Sequence, residues 1–178
     1  MRVVLALVVV SSLVASTASA QQPLGPSLSV GVGAGIAGAS GGSGVSLAGS
    51  SGGSGTASSD KSAGVVVTAA VDFPVAPLIT IGAQADYWRR TVVNALFATG
   101  VVTVHLPGTP LSVKAGGGFG RGDFGGGALS GLAGQLGAVY EIAGWGPAKA
   151  RLFANGFLAS GSPQNVLLID AGISLAWW

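Results

Sequence analysis

Alternation of apolar and polar side chains along the chain constrains the fold most strongly. It is clearest in residues 79–87, where Ile79, Ile81 and Tyr87 share one parity while Gln84 and Asp86 share the other. The same pattern recurs in residues 65–73 and 167–177. A period of two residues indicates a β-strand with two unlike faces. The sequence therefore predicts strands that each have an apolar side and a polar side.

Eight such segments, each about 10 to 15 residues long, follow one another along the chain. A tilted strand crosses the hydrocarbon layer of a membrane with about 9 to 11 residues. In the fourth segment Phe97 and His105 fall on one parity and Val102 and Val104 on the other, so we expect a bulge near Gly100. The predicted strands are 27–38, 63–73, 78–89, 92–106, 111–120, 128–142, 148–159 and 166–177.

Membrane-spanning helices are the alternative that so apolar a chain raises. Only 8% of its residues are charged, against roughly a quarter in soluble domains. Beyond the first 20 residues, the best helical candidate, 65–85, contains Asp72, Pro74 and Pro77, and a spanning helix needs about 20 mostly apolar residues. Extended chain is viable in lipid only as a closed barrel, because every backbone group must be paired. We therefore expect an all-β, transmembrane, antiparallel up-and-down barrel of eight strands.

The N-terminus has the pattern of an export signal. Arg2 supplies a positive charge, residues 3–14 are mostly apolar, and Ala18 and Ala20 offer small residues for cleavage. We expect residues 1–20 to be a signal peptide cleaved near Ala20 and residues 21–178 to form the barrel. An uncleaved membrane anchor and a soluble, glycine-rich secreted β-protein are the alternatives.

The predicted connections alternate in kind along the chain. Those at 74–77, 107–110 and 143–147 are short and contain proline, as periplasmic turns of bacterial barrels do. Those at 39–62, 90–91, 121–127 and 160–165 would lie outside the cell. The segment 39–62 is almost wholly Gly and Ser, so we expect a flexible outer loop.

The final strand ends in Trp177 and Trp178 after alternating hydrophobic residues. This end resembles the closing strand of bacterial outer-membrane proteins, and the resemblance implies that the barrel-assembly machinery reads it as an insertion signal. By size, strand number and this terminus, residues 21–178 resemble the small outer-membrane barrels of the OmpX type and the OmpA membrane domain. The resemblance implies a bacterial outer-membrane location, with membrane lipid and lipopolysaccharide as partners.

Parity places seven charged residues on the lumen side of their strands. An eight-stranded barrel has room inside only for side chains, so these charges should pair. Five of them, all except Asp86 and Asp170, should meet at the periplasmic mouth, and we interpret the set as a structural plug, with an ion or proton path as the alternative. The predicted lumen charge network is Asp72, Asp86, Lys114, Glu141, Lys149, Arg151 and Asp170.

Other motifs carry little functional signal. Arg121-Gly122-Asp123 matches an integrin-binding tripeptide, but we read it as a solvated loop. His105 is the only histidine and has no flanking serine or carboxylate motif, so neither a catalytic triad nor a histidine metal site is expected. The glycine runs at 116–118 and 125–127 precede no lysine and helix start, so they form no phosphate loop. We expect no cofactor, metal or nucleic-acid partner.

The predicted function is that of a non-enzymatic surface barrel that stabilises the envelope or presents loops to an unknown surface ligand. A narrow channel is one alternative. An outer-leaflet lipid-modifying enzyme is another, but it would need clustered polar residues at the outer rim. Instead the sequence places basic residues there, namely Lys61, Arg89, Arg90 and Arg121, which suit lipopolysaccharide phosphates.

Overall fold

A computed structural model describes residues 25–41, 62–123, 128–160 and 164–178. These residues form eight antiparallel strands, each hydrogen-bonded to the next, and the last also pairs with the first to close a barrel. The predicted all-β, eight-stranded up-and-down barrel is confirmed. The strands are β1 Ser27–Gly41, β2 Ser62–Ala76, β3 Ile79–Arg90, β4 Val93–His105, β5 Leu111–Asp123, β6 Ala128–Trp145, β7 Ala148–Ser160 and β8 Gln164–Trp177.

The described residues contain no helix long and apolar enough to cross a membrane.

Six of the eight strands are longer than the sequence predicts, β3 has the predicted length and β4 is shorter. Residues 74–76 and 143–145, predicted to lie in turns, belong to β2 and β6. Residues 39–41 and Ser62, predicted to lie in the first outer loop, belong to β1 and β2 instead. The rest of that loop, with Lys61, and the expectation that it is flexible lie outside the described residues. Arg121-Gly122-Asp123 was predicted to be a loop, but it is the paired end of β5, where Arg121 faces Leu96 and Asp123 faces Asn94 in the register.

The predicted bulge near Gly100 is wrong. The register of β4 runs without a shift against both of its neighbours. Phe97 and His105 therefore lie on the inner side together, while Val102 and Val104 lie outside. Register shifts occur instead between Pro74 and Ala76 and between Glu141 and Ala143, both near short turns.

The two ends of the barrel differ in their connections. One end carries the proline-containing links Pro77–Leu78, 106–110 and Gly146–Pro147, and is here called the turn end. The first strand begins at this end and the last strand finishes there. The opposite end is called the loop end. Among its connections the structure describes only Thr91–Val92, between β3 and β4.

Burial alternates along each strand and separates two chemistries. The side chains that point into the barrel include most of the polar and charged groups of the strands, whereas the outward side chains are mostly apolar and exposed. Val32 and Ile173, for example, are 60% and 54% exposed, while Asp86 is fully buried. This distribution is the reverse of that in a soluble domain.

Candidate functional site in the barrel interior

The interior is divided into an apolar half at the loop end and a polar half at the turn end. The apolar half is a cluster of side chains that point inward from seven of the strands, all except β5. It consists of Ala37, Val66, Trp88, Ala95, Phe97, Ala133, Phe157, Ala159, Val166 and Leu168, with Val93 and Leu129 packed against it. We call this set the apolar cluster.

Aromatic rings form the centre of the apolar cluster. The centroids of the Phe97 and Phe157 rings are 4.9 Å apart, and the two rings are tilted by 33°. Trp88 is fully buried, and its indole N–H donates to the backbone oxygen of Gly35 at 2.9 Å. Because this donor is satisfied, the large ring can fill the interior without the cost of an unpaired polar group.

Inward-facing glycines make room for these rings. A β-carbon built at Gly120 would lie 2.6 Å from the β-carbon of Ala159 and 2.8 Å from the ring of Phe97. One built at Gly64 would lie 2.7 Å from the indole of Trp88. The narrow lumen therefore accommodates bulky side chains because the strands facing them carry none at these positions.

Next to the apolar cluster on the turn-end side, a series of hydrogen-bonded polar side chains crosses the middle of the barrel. The Gln84 side chain donates to Asp86 at 2.6 Å and accepts from the Lys114 ammonium at 2.6 Å. The amide of Gln135 also donates to Gln84, at 3.0 Å, and the Thr99 hydroxyl donates to Gln135. Lys114 is thus held by an amide oxygen in the middle of the barrel.

Asp170 of β8 lies in a second polar pair, across the lumen from Asp86 and Lys114. Asn155 donates to one of its carboxylate oxygens at 2.9 Å. The other oxygen of Asp170, and one oxygen of Asp86, are buried without a hydrogen-bond partner among the described residues. Both carboxylates are therefore tied to amides rather than to cationic groups.

The predicted charges of β6 and β7 form an ion-pair cluster at the turn end. Glu141 contacts Lys149 at 2.8 Å and Arg151 at 3.5 Å, and the side chains of all three are at most 13% exposed. Glu141 and Arg151 are direct partners in the register, and the shift that follows Glu141 lies beside them. The ammonium of Lys149 also lies 4.8 Å from the ring centroid of Trp178, a cation–π geometry.

A small cavity lies among these groups in the polar half. It measures about 50 Å³, room for only a few water molecules. Asp72 and Lys114 line it together with Glu141 and Arg151. Asp72 interacts electrostatically with Arg151 and Lys114 but forms no ion pair with them.

Six of the seven predicted lumen charges therefore fall into three groups. Glu141, Lys149 and Arg151 come together, Asp86 and Lys114 are linked through Gln84, and Asp170 pairs with Asn155. Asp72 lies beside the first two groups at the cavity. The sequence places Gln84 on the polar side of β3 with Asp86, but it does not predict that Gln84, Asn155 and Gln135 are the partners of these charges.

The apolar cluster was missed as well, although a signal for it exists. Trp88 has the parity of Asp86, and Leu168 has that of Asp170. Extending the lumen parity towards the loop end would have found both side chains.

His105 has a serine partner that the sequence analysis did not find. Its Nδ1 lies 2.8 Å from the Ser112 hydroxyl, because the two residues face each other across β4 and β5. The other ring nitrogen, Nε2, is buried and has no hydrogen-bond partner among the described residues, so no carboxylate orients the ring as a catalytic triad requires. Across all the residues that the structure describes, no three histidine, aspartate or glutamate residues lie close enough to hold a metal ion.

Of the predicted insertion residues, Trp177 lies on the outer face and Trp178 on the inner side of the turn end. Trp177 is 41% exposed and continues the outward phase of β8. Trp178 lies beside Lys149, and its backbone N–H donates to Pro147 at 3.3 Å. The two residues thus have separate surroundings.

Comparison with known proteins finds likeness only at the level of structure. No protein-family model matches the sequence, and no curated protein matches it significantly. The crystal structure of Ail, the attachment invasion locus protein of Yersinia pestis, superposes with a TM-score of 0.61 at 14% identity, covering 86% of this chain and 99% of Ail. A second structure, of Ail with the heparin analogue sucrose octasulfate, superposes with a TM-score of 0.60 at 13% identity. It covers 86% of this chain and 100% of Ail.

Neisserial surface protein A is similar in the same way, with a TM-score of 0.51 at 11% identity over 84% of this chain and 96% of that protein. Both Ail and Neisserial surface protein A are small eight-stranded outer-membrane barrels. The expected resemblance to this class is confirmed for the fold. At such low identity the likeness is one of fold alone.

Proposed function

We propose that this chain is a non-enzymatic barrel of the bacterial outer membrane with a sealed lumen, acting in envelope structure or surface interaction. The observation that carries the proposal is the inverted distribution of side chains, with apolar groups outside and charges inside. A broad apolar outer surface is costly in water but stable in lipid. The similarity of the fold to that of outer-membrane barrels supports the same placement.

The interior supports a sealed barrel rather than a channel. The apolar cluster fills the lumen at the loop end, and the ion-pair cluster of Glu141, Lys149 and Arg151 narrows the turn end. The cavity of about 50 Å³ among the turn-end charges holds only a few waters. In this proposal the seven lumen charges serve as a structural plug, and no water-filled path connects the two ends.

Export and assembly complete the proposal. Residues 1–20 direct export and are removed near Ala20, after which residues 21–178 form the barrel. The barrel-assembly machinery recognises the aromatic end of β8, with Trp177 on the lipid side and Trp178 held by Lys149 at the mouth. Surface interaction is the more specific role that Ail suggests, since Ail has been crystallised with a heparin analogue.

Heat modifiability of outer-membrane fractions tests the proposal. We expect the protein in the outer-membrane fraction, starting at Gln21, and running faster on a gel before boiling than after it. A matched chain lacking Trp177 and Trp178 should be depleted from the folded band in cells. Recovery of the full chain in the soluble fraction without a mobility shift would refute the proposed function.

A further inference from the structure

Two arginines project from the outer wall of the barrel near the loop end. Arg89 lies close to the end of β3, and Arg121 lies close to the end of β5. Both are exposed and belong to the outward phase of their strands, next to the inward Trp88 and Gly120. Their side chains therefore start from the apolar outer surface and not from the lumen.

The register places the two arginines near each other across β4. Arg89 faces Asn94 on that strand, and Arg121 faces Leu96. They are thus separated by two strand spacings and offset by two residues, which corresponds to roughly 12 Å between α-carbons at standard sheet dimensions. Two long side chains at that separation can reach toward phosphate groups that lie between them or just above.

The barrel wall is low beside Arg89, where β3 turns into β4. The β3–β4 connection consists of Thr91 and Val92 alone, and Thr91 adopts the left-handed conformation with φ of 47°. Val92 is 82% exposed at its tip. With so short a connection beyond it, Arg89 is accessible from the side, where the headgroups of a surrounding lipid leaflet would lie. Arg121 is exposed on the same outer face.

The local charge favours an anion. Within the described residues, neither Arg89 nor Arg121 forms an ion pair with a carboxylate. Among the described residues, Asp123 is the one acidic residue on the same face; it lies two residues beyond Arg121 on β5 and leaves the group with a net positive charge. Tyr87 lies outward one step below Arg89, as an aromatic residue does at a membrane interface.

We propose that Arg89 and Arg121 bind phosphate groups of the outer-leaflet lipid, namely those of lipopolysaccharide, from the side of the barrel. This inference rests on the proposed outer-membrane placement. An arginine on the lipid face is costly at the bilayer midplane but costs little near the interface, so each side chain extends to the headgroups. There a guanidinium can bind a phosphate with two parallel hydrogen bonds.

The outward direction favours lipid over a soluble polyanion. A sulfated polysaccharide in solution would approach the loop end from above, whereas a lipid phosphate approaches from the membrane beside the wall. The sequence groups Arg90 with Arg89 and Arg121 as a residue for lipopolysaccharide phosphates, but the structure separates it from them: Arg90 has the opposite strand phase and does not belong to the outward pair. It is therefore a matched control on the same hairpin.

Binding of lipid A to the purified, folded full-length barrel in detergent micelles tests the inference. The probe is diphosphoryl lipid A, measured by native mass spectrometry and by titration with a fluorescent derivative. The double variant Arg89→Gln/Arg121→Gln should bind at least about tenfold more weakly, since it loses the charge-assisted hydrogen bonds from both guanidinium groups to phosphate. Arg90→Gln should stay within about twofold of the unmodified chain, and lipid A stripped of its phosphates should bind the unmodified chain as weakly as diphosphoryl lipid A binds the double variant.

Equal binding of diphosphoryl lipid A by the double variant and the unmodified chain would overturn the inference, as would binding that does not depend on the phosphates. A heparin oligosaccharide forms the second arm, and binding of heparin but not of lipid A through these arginines would refute the lipid assignment. The heat-dependent mobility shift of each sample confirms folding, and the two single variants replace the double variant if it does not fold. A failed mobility shift of the unmodified chain contradicts the barrel itself, whereas failed lipid binding by a folded barrel contradicts only this inference.

Discussion

Replacing Phe157 by alanine should destabilise the barrel more than the same change on its outer surface. Phe157 is 1% exposed, and its ring lies 4.9 Å from that of Phe97 within the apolar cluster. Phenylalanine-to-alanine changes in packed cores cost about 3–5 kcal/mol, because the lost transfer free energy is increased by that of the cavity left behind. Here the closed wall of strands prevents the cavity from collapsing.

Phe119 is the matched control, since it is 50% exposed on the outward face of β5. Lipid or detergent refills the space that Phe119→Ala leaves, so only the transfer free energy of about 1.5–3 kcal/mol is lost. We therefore expect Phe157→Ala to lower the free energy of unfolding by roughly 1.5–2 kcal/mol more than Phe119→Ala. Urea titrations of both variants in lipid vesicles, followed by tryptophan fluorescence, measure this difference. Equal losses would refute a tightly packed cluster at the loop end.

Three further changes probe the interior by the same unfolding assay. Glu141→Gln leaves buried cations without a carboxylate and should cost about 3–5 kcal/mol, so a loss below 1 kcal/mol would contradict the ion-pair cluster. Gly120→Ala should destabilise by about 1–3 kcal/mol through crowding, whereas Gly134→Ala, with open space around it, should be neutral or slightly stabilising. Trp178→Ala removes the contact with Lys149 and should lower the free energy of unfolding by about 0.5–2 kcal/mol. An unchanged free energy of unfolding would show that this contact does not stabilise the barrel.

The barrel could be predicted from sequence because the pattern that defines each strand lies within that strand. Lipid on one side and a crowded lumen on the other impose a period of two on every strand, as in Ile79, Ile81 and Gln84. The proline turns then fixed the order of the hairpins. Strand ends were less accurate, because hydrogen bonding continues beyond the apolar band, and Asp123 is therefore in a strand and not in a loop.

The interior was harder to predict because its contacts join distant strands. Gln84 and Lys114 are 30 residues apart, and nothing in their local sequence indicates that they bond. The Ser112–His105 contact likewise depends on the register of β4 against β5. The expected bulge at Gly100 arose because Phe97 and Val102 differ in parity, but no bulge is needed, since the glycine opposite Phe97 at 120 leaves room for its ring inside.

The sealed lumen is the central claim, and recordings of ionic current across planar lipid bilayers test it most directly. The purified, folded barrel should insert without producing a steady conductance, because the apolar cluster excludes water from the loop end. The variant Phe97→Ala/Phe157→Ala, which empties the centre of that cluster, provides the comparison and should show more current than the unmodified chain. A steady open conductance from the unmodified protein would contradict the sealed barrel.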